Sequence, residues 1–206
     1  FLTAYFAIQP GAEVELTGDE RLCARPMEPL VTALRQCGAQ IEYLAGEGYA
    51  PLLVKGRSLP GGEITIDSTV SSQFISALLM VAPYMEKGLT LRLEGEPVSL
   101  PYILTLAMMR QRGVEVEREP LRIDVPHGSY THFDQPAEGD WSAAAFWFEV
   151  SALSAGWITL TNLPEDSIQG DRAAAKFFDC LGVTLSGSGD RRAALPLTGG
   201  IWPSGS

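Results

Sequence analysis

Apolar residues along this chain keep two different periods, and the alternation between them recurs. Leu89, Leu91 and Leu93 fall at every second position, and Ile64 and Ile66 alternate in the same way between Glu63 and Asp67. Period two predicts strands over 63–67 and 89–94 with one face buried. Over 71–84 the apolar residues crowd instead, with Leu78, Leu79, Met80 and Val81 in a row. That spacing predicts a helix buried on most sides rather than one riding the surface. A second helix is predicted over 102–112, and two more strands over 114–118 and 121–125. In order, these segments make a complete βαβαββ unit.

The same grammar occurs three times. Helices over 26–37, 102–112 and 171–181 each run into a glycine and then a strand. The glycines are Gly38, Gly113 and Gly182, 75 and 69 positions apart. Helices over 2–9, 71–84 and 141–154 precede them and lead to Gly11, Gly88 and Gly156, 77 and 68 positions apart, with strands over 13–17, 89–94 and 157–161. Glycine in these slots is expected to close each helix in the left-handed conformation. The predicted class is α/β (α+β), built of repeated βαβαββ units. The first copy starts inside its first helix. The third, ending with a strand over 191–197, is followed by Gly199-Gly200-Ile201-Trp202, where another would open. The expectation is a repeat fold cut at both ends. The polar stretch 127–139, with Pro136 and Gly139, reads as a crossing between domains: 1–134 with two copies, 135–206 with one.

Composition narrows the class. Hydrophobic residues are 46% of the 206 and charged residues 19%, a globular balance. No apolar run reaches the ~18 residues needed to span a bilayer, and the first residues lack the basic start of a signal peptide. Cys23, Cys37 and Cys180 show no CxxC spacing, which predicts reduced thiols and a cytoplasmic setting. Two histidines do not make a His-rich metal site, and no metal is expected. The net charge of −10 opposes nucleic acid and anionic membranes as partners, because neutralising phosphates takes clustered Lys and Arg.

Four segments place polar residues where a strand meets a helix, and helix starts favour anions. In Asp67-Ser68-Thr69-Val70-Ser71-Ser72-Gln73, Ser71 and Ser72 are candidates for holding a phosphate; capping by Ser68, Thr69 or Ser71 is the plainer reading. Gln73 is a third polar residue that a cap does not need. Ser99 and Tyr102 flank Pro101 at the next helix start, where a proline turn is the plainer reading. Arg25, just before Pro26, can grip a carboxylate or phosphate or pair with Asp19, Glu20 or Glu28. Asp140 precedes the third copy's first helix, as a cap or as a cleft carboxylate.

Taken together, Arg25-Pro26-Met27, the segment from Ser68 through Phe74 to Pro83, Ser99-Leu100-Pro101-Tyr102, Glu138-Gly139-Asp140-Trp141-Ser142 and Ser167-Ile168-Gln169-Gly170-Asp171 resemble the ordered motifs of the 5-enolpyruvylshikimate-3-phosphate synthases. The resemblance runs from Phe1 to about Leu185. It implies six βαβαββ units in two inverse α/β barrels, and no cofactor. It implies addition of the 5-hydroxyl of shikimate-3-phosphate to phosphoenolpyruvate, with phosphate leaving through a tetrahedral intermediate. By position, Ser71, Ser72 and Gln73 would hold shikimate-3-phosphate, Ser99 would join its phosphate site, Tyr102 would line the shikimate site, and Arg25 would grip phosphoenolpyruvate. Asp140 would face the cleft as a catalytic candidate.

Two departures stand out. Leu100 occupies a place where the family often has Lys or Arg, and Trp141 makes the Asp140 helix start bulkier. The family's N-terminal Lys-Ser motif, its Asn-Ala-Gly-Thr loop and its later acid and base residues have no counterpart here. A central portion of such an enzyme, inactive alone, is therefore expected. The whole enzyme would be monomeric, while an exposed repeat edge favours self-association of this chain. The alternatives are the sister transferase acting on UDP-N-acetylglucosamine and a non-catalytic binding or structural piece.

Overall fold

The computed structural model describes all residues except 68, 70, 96–101, 133–136, 155–156, 187–190 and 197–206, with backbone alone for 191–196. The chain forms two compact units, Phe1–Phe133 and Asp134–Ser206. The first opens with α1 (Leu2–Ala7), β1 (Glu13–Leu16), the short α2 (Glu20–Cys23), α3 (Glu28–Gln36), β2 (Gln40–Tyr43) and β3 (Leu52–Lys55). It continues with β4 (Gly62–Asp67), α4 (Ser72–Val81) extended by a 3-10 turn (Ala82–Tyr84), β5 (Leu89–Glu94), α5 (Tyr102–Gln111), β6 (Glu117–Glu119) and β7 (Arg122–Val125). The second holds α6 (Trp141–Ser154), β8 (Ile158–Thr161), a 3-10 turn (Gly170–Ala173) leading into α7 (Ala174–Cys180), β9 (Val183–Ser186) and β10 (Arg191–Pro196).

Three sheets match the three copies. Their strand orders are β1-β3-β2, β4-β5-β7-β6 and β8-β10-β9. Each places the copy's last strand between two earlier ones. In the first unit the inward residues of the sheets, among them Ile41, Val54, Ile64, Leu91 and Ile123, share one core with Leu34, Ile75, Leu78, Leu79 and Leu106 of the helices. Helix α4 lies in the middle of that core, against α1, α3 and α5, with six of its ten residues buried. The outer faces of the strands are charged: Arg92 pairs with Glu63 at 2.6 Å, and Arg122 with Asp124 at 2.7 Å.

Five of the six repeat glycines are in the left-handed region, Gly11, Gly38, Gly88, Gly113 and Gly182; Gly156 lies outside the described residues. Gly88 has a second reason to be glycine. A Cβ there would come within 2.2 Å of the Val125 carbonyl oxygen, while the Gly88 carbonyl accepts the Gly62 N–H at 3.0 Å. Side chain and backbone pairing cannot both fit.

The strand expected over 114–118 is shifted. Strand β6 is Glu117–Glu119, paired antiparallel with β7 from Glu117↔Asp124 to Glu119↔Arg122. Val114 and Val116 still point into the core, but the Val116 carbonyl is taken by the Arg110 guanidinium, at 3.2 Å from Nε and 2.8 Å from Nη2. The first copy has the same device, with Arg35 bonded to the Ile41 carbonyl at 3.1 and 2.6 Å. In the third copy Asp179 stands in that place and accepts the Thr184 hydroxyl at 3.3 Å.

In the second unit Trp141, Ala144, Phe148, Leu163 and Val183 form the core. The other side of α6 exposes Phe146, Trp147, Val150 and Leu153. Among the described residues no helix is long and apolar enough to cross a membrane, and no cluster of three His, Cys, Asp or Glu is placed to hold a metal ion.

Candidate functional site

Strands β4 and β5 run parallel, in register from Gly62↔Leu89 to Asp67↔Glu94. Parallel pairing brings their C-terminal ends side by side, so the starts of α4 and α5 follow from the same edge of the sheet. Ser71, Ser72 and Gln73 belong to the first start and Tyr102 to the second. Ser99 and Ser68 lie outside the described residues.

Ser71 occupies the N-cap position of α4 with extended backbone, φ −165° and ψ 119°, yet its side chain makes no capping hydrogen bond. Its carbonyl accepts the Phe74 N–H at 3.1 Å. The first N–H groups of a helix have no partner inside it. A start lacking its side-chain cap leaves both donor N–H groups and a hydroxyl for something else. Ser71 and Ser72 are half-buried and Gln73 is exposed.

The capping chemistry sits one step earlier. Asp67 accepts both the Thr69 hydroxyl at 2.6 Å and the Thr69 N–H at 2.8 Å. Those two bonds hold the exposed Asp67 carboxyl below the usual carboxylate range. A lowered native value means the turn is favoured above the ordinary Asp pKa and loses that support as pH falls through the native value. Thr69→Val removes the hydroxyl donor, so the Asp67 carboxyl is expected to titrate at higher pH, read by NMR of its side-chain carbon. An unmoved titration would show that the hydroxyl bond does not set it.

Tyr102 opens α5 fully buried, at 0% exposure. Its hydroxyl is enclosed with no hydrogen-bond partner among the described residues. The Arg118 guanidinium stands over its ring at 5.9 Å. One helix turn on, the Thr105 hydroxyl donates to the buried Ser76 at 2.9 Å, tying α5 to α4. Tyr102 thus faces the core rather than open solvent.

Arg25 lies between α2 and α3, exposed, and α3 packs on both β4 and α4. Among the described residues it forms no ion pair with Asp19, Glu20 or Glu28. Asp19 instead caps α2 through the Leu22 N–H at 2.7 Å, and Glu28 accepts the Thr32 hydroxyl at 3.0 Å. Its guanidinium therefore remains available for an anion.

Asp140 belongs to the second unit. It caps α6 by accepting the Ser142 N–H at 2.8 Å through Oδ1. Around it lies a network that pattern reasoning did not assign. Gln169 reaches across to the Asp140 segment, Ser167 donates to Glu138 at 3.0 Å, and the Ser142 hydroxyl donates to Asp171. No periodicity or spacing signals such a network, because its partners are backbone groups and side chains about 30 positions away in the chain.

The EPSP synthase (3-phosphoshikimate 1-carboxyvinyltransferase) family model matches residues 1–194. A 3-phosphoshikimate 1-carboxyvinyltransferase of Bacteroides fragilis is 47% identical over 186 residues, covering 89% of this chain and 45% of that protein. One of Actinobacillus pleuropneumoniae is 40% identical over 183 residues, covering 87% and 42%. The solved EPSP synthase of Acinetobacter baumannii superposes with TM-score 0.70 at 24% identity, over 96% of this chain and 45% of that one. The enolpyruvyl transferase NikO of Streptomyces tendae shares the fold more distantly, with TM-score 0.55 at 20% identity. The chain thus spans less than half the length of these proteins. With the family model running through all three copies and sequence identity of 40–47% over most of the chain, the chain belongs to the EPSP synthase (3-phosphoshikimate 1-carboxyvinyltransferase) family.

Proposed function

We propose that this chain supplies the shikimate-3-phosphate side of an enolpyruvyl transferase site. In an enzyme of the length its relatives have, the 5-hydroxyl of shikimate-3-phosphate gives up its proton as its oxygen bonds to C2 of phosphoenolpyruvate and C3 takes a proton. The bond from C2 to the phosphate oxygen then breaks and a C3 proton is lost, which leaves the enolpyruvyl ether and free phosphate. The observation that carries this reading is the uncapped start of α4. The Ser71 hydroxyl makes no cap, the first helical N–H groups lack intrahelical partners, and Ser72 and Gln73 follow directly. That set of donors suits the phosphate and ring hydroxyls of shikimate-3-phosphate. Arg25, unpaired with its neighbouring carboxylates, suits the carboxylate or phosphate of phosphoenolpyruvate. Ser99 and Tyr102 complete the proposed shikimate-phosphate side, with Tyr102 acting from the core. Asp140 is the catalytic candidate, and no cofactor enters the scheme.

The sister activity on UDP-N-acetylglucosamine gains no support, since the matching family and the relatives cited carry the shikimate enzyme's name.

Calorimetry of the chain with shikimate-3-phosphate tests the site. A hydrogen bond to a charged group is worth about 1.5–3 kcal/mol, so Ser72→Ala is expected to weaken binding by about tenfold or more. Clear binding with identical titrations in both proteins would remove Ser72 from the site.

A further inference from the structure

The Asp140 carboxylate is held from a distance. Gln169 lies just before the 3-10 turn that opens α7, and its carboxamide reaches the two peptide groups on either side of Asp140. Gln169 Oε1 accepts the Trp141 N–H at 2.9 Å, and Nε2 donates to the Gly139 carbonyl at 2.8 Å. The second Nε2 proton goes to Glu138 Oε1 at 2.9 Å. One orientation of the amide satisfies all three bonds, because Trp141 offers a donor and Gly139 and Glu138 offer acceptors. Ser167, buried, tightens the arrangement: its hydroxyl donates to the same Glu138 oxygen at 3.0 Å and accepts the Gln169 N–H at 3.1 Å.

A second set of contacts closes the other side. The Gly139 N–H donates to the Asn162 carbonyl at 2.5 Å, and the Asn162 side-chain amide donates to the Ala137 carbonyl. Asn162 holds a left-handed φ of 61° to do this. A Cβ on Gly139 would come within 2.9 Å of that same Asn162 oxygen. The Asp140 carbonyl accepts the Ala144 N–H at 2.9 Å as the first bond of α6. The backbone on both sides of Asp140 is therefore fixed. With Oδ1 on the Ser142 N–H, Oδ2 has no hydrogen-bond partner among the described residues.

We propose that Gln169, seated by Glu138 and Ser167, is a positioning residue that sets the direction of the Asp140 carboxylate. Glu138 is then the structural carboxylate of the pair and Asp140 the working one. An ordinary N-cap needs its own side chain and the helix it caps. Here the cap is clamped by a carboxamide at both flanking peptides, a constraint beyond what capping requires. The use of that fixed carboxylate in enolpyruvyl transfer rests on the function proposed above; the positioning does not.

Amide hydrogen exchange on the full 206-residue chain tests it without any substrate. Gln169→Met keeps the volume and removes all three bonds. Trp141 and Ser142 are expected to lose about tenfold in protection, roughly one net hydrogen bond each, while Phe148 within α6 keeps its protection. Gln169→Glu is the second variant. It retains an acceptor for Trp141 but opposes Glu138 with a second carboxylate. Protection of Ser142 should be low at pH 7 and recover toward pH ~5, as the two carboxylates come to share a proton. Loss at Trp141 with Ser142 unchanged would overturn the proposal, because Ser142 reports on the Asp140 carboxylate. So would Gln169→Glu protection that ignores pH. Either failure leaves the Ser72 titration untouched, and failure of that titration leaves the clamp untouched.

Discussion

Phe148→Ala is expected to cost the second unit about 3–5 kcal/mol, the range for emptying a fully buried aromatic position. Phe148 is 0% exposed and meets Trp141 and Phe178 edge-on, at ring separations of 6.5 and 5.6 Å. Among the described residues, Trp141, Ala144, Leu163 and Val183 are the other buried hydrophobic members of this core. A loss of that size is a large share of the ~5–15 kcal/mol that ordinarily holds a domain together. The chain's spectroscopy separates the units. All four tryptophans, Trp141, Trp147, Trp157 and Trp202, lie in the second unit, and all six tyrosines lie in the first. Urea melts followed by tryptophan fluorescence should show a midpoint moved sharply downward, and tyrosine near-UV signals read the first unit separately. A tryptophan midpoint shifted by less than the equivalent of about 1 kcal/mol would mean that Phe148 does not anchor this core.

The second large effect is an absence. Given shikimate-3-phosphate and phosphoenolpyruvate, the purified chain is expected to release no phosphate above a protein-free blank. Enzymes of ordinary efficiency lower barriers by about 8–23 kcal/mol. The donors proposed at the start of α4 contribute about 1–3 kcal/mol apiece, and two anions brought together need cations that a chain of net charge −10 is poorly placed to give. The chain also covers only 45% of its relative from Bacteroides fragilis. Appreciable phosphate release would refute the view that these residues form one side of a larger site.

Much of the fold is legible because its periods are long enough to count. Trp141–Ser154 and Leu89–Glu94 have the bounds their apolar patterns predict. Leu52–Lys55 carries no such signal: four residues between Pro51 and Gly56 are too short for either period, and they become a central strand only through pairing with β1 and β2. The displaced start of β6 was hidden for a related reason. Val114 and Val116 are spaced as strand residues and do face the core, but the Arg110 guanidinium takes the carbonyl that a strand would have paired. The helix expected over 171–181 is divided, with a 3-10 turn before α7.

The candidate site divides along similar lines. Residue types at strand-to-helix junctions can be read directly, so Ser71, Ser72, Gln73, Arg25 and Asp140 were all nameable. What each side chain does with its neighbours could not be read. Ser71 looks like a cap and makes none, while Thr69 spends its hydroxyl on Asp67. Tyr102 looks like a surface residue at a helix start and is enclosed. Gln169 looks like one polar residue in a loop, yet it grips two peptide groups in another segment. For Tyr102 and Gln169 the deciding surroundings come from other parts of the chain, which no local pattern encodes, and for Ser71 the bond that forms is between its near neighbours.

The strand order has a consequence for synthesis on the ribosome. In every copy the strand made last is inserted between strands made earlier: β3 between β1 and β2, β7 between β5 and β6, β10 between β8 and β9. Until that strand emerges, β1 and β2, and likewise β8 and β9, have no ladder to join; in the middle copy β4 and β5 can already pair with each other, and β6 waits for β7. Completion of the final strand lets both sides pair together, so vectorial folding of this chain should advance in three discrete steps, each timed by the appearance of a closing strand rather than by the growing length of the nascent chain.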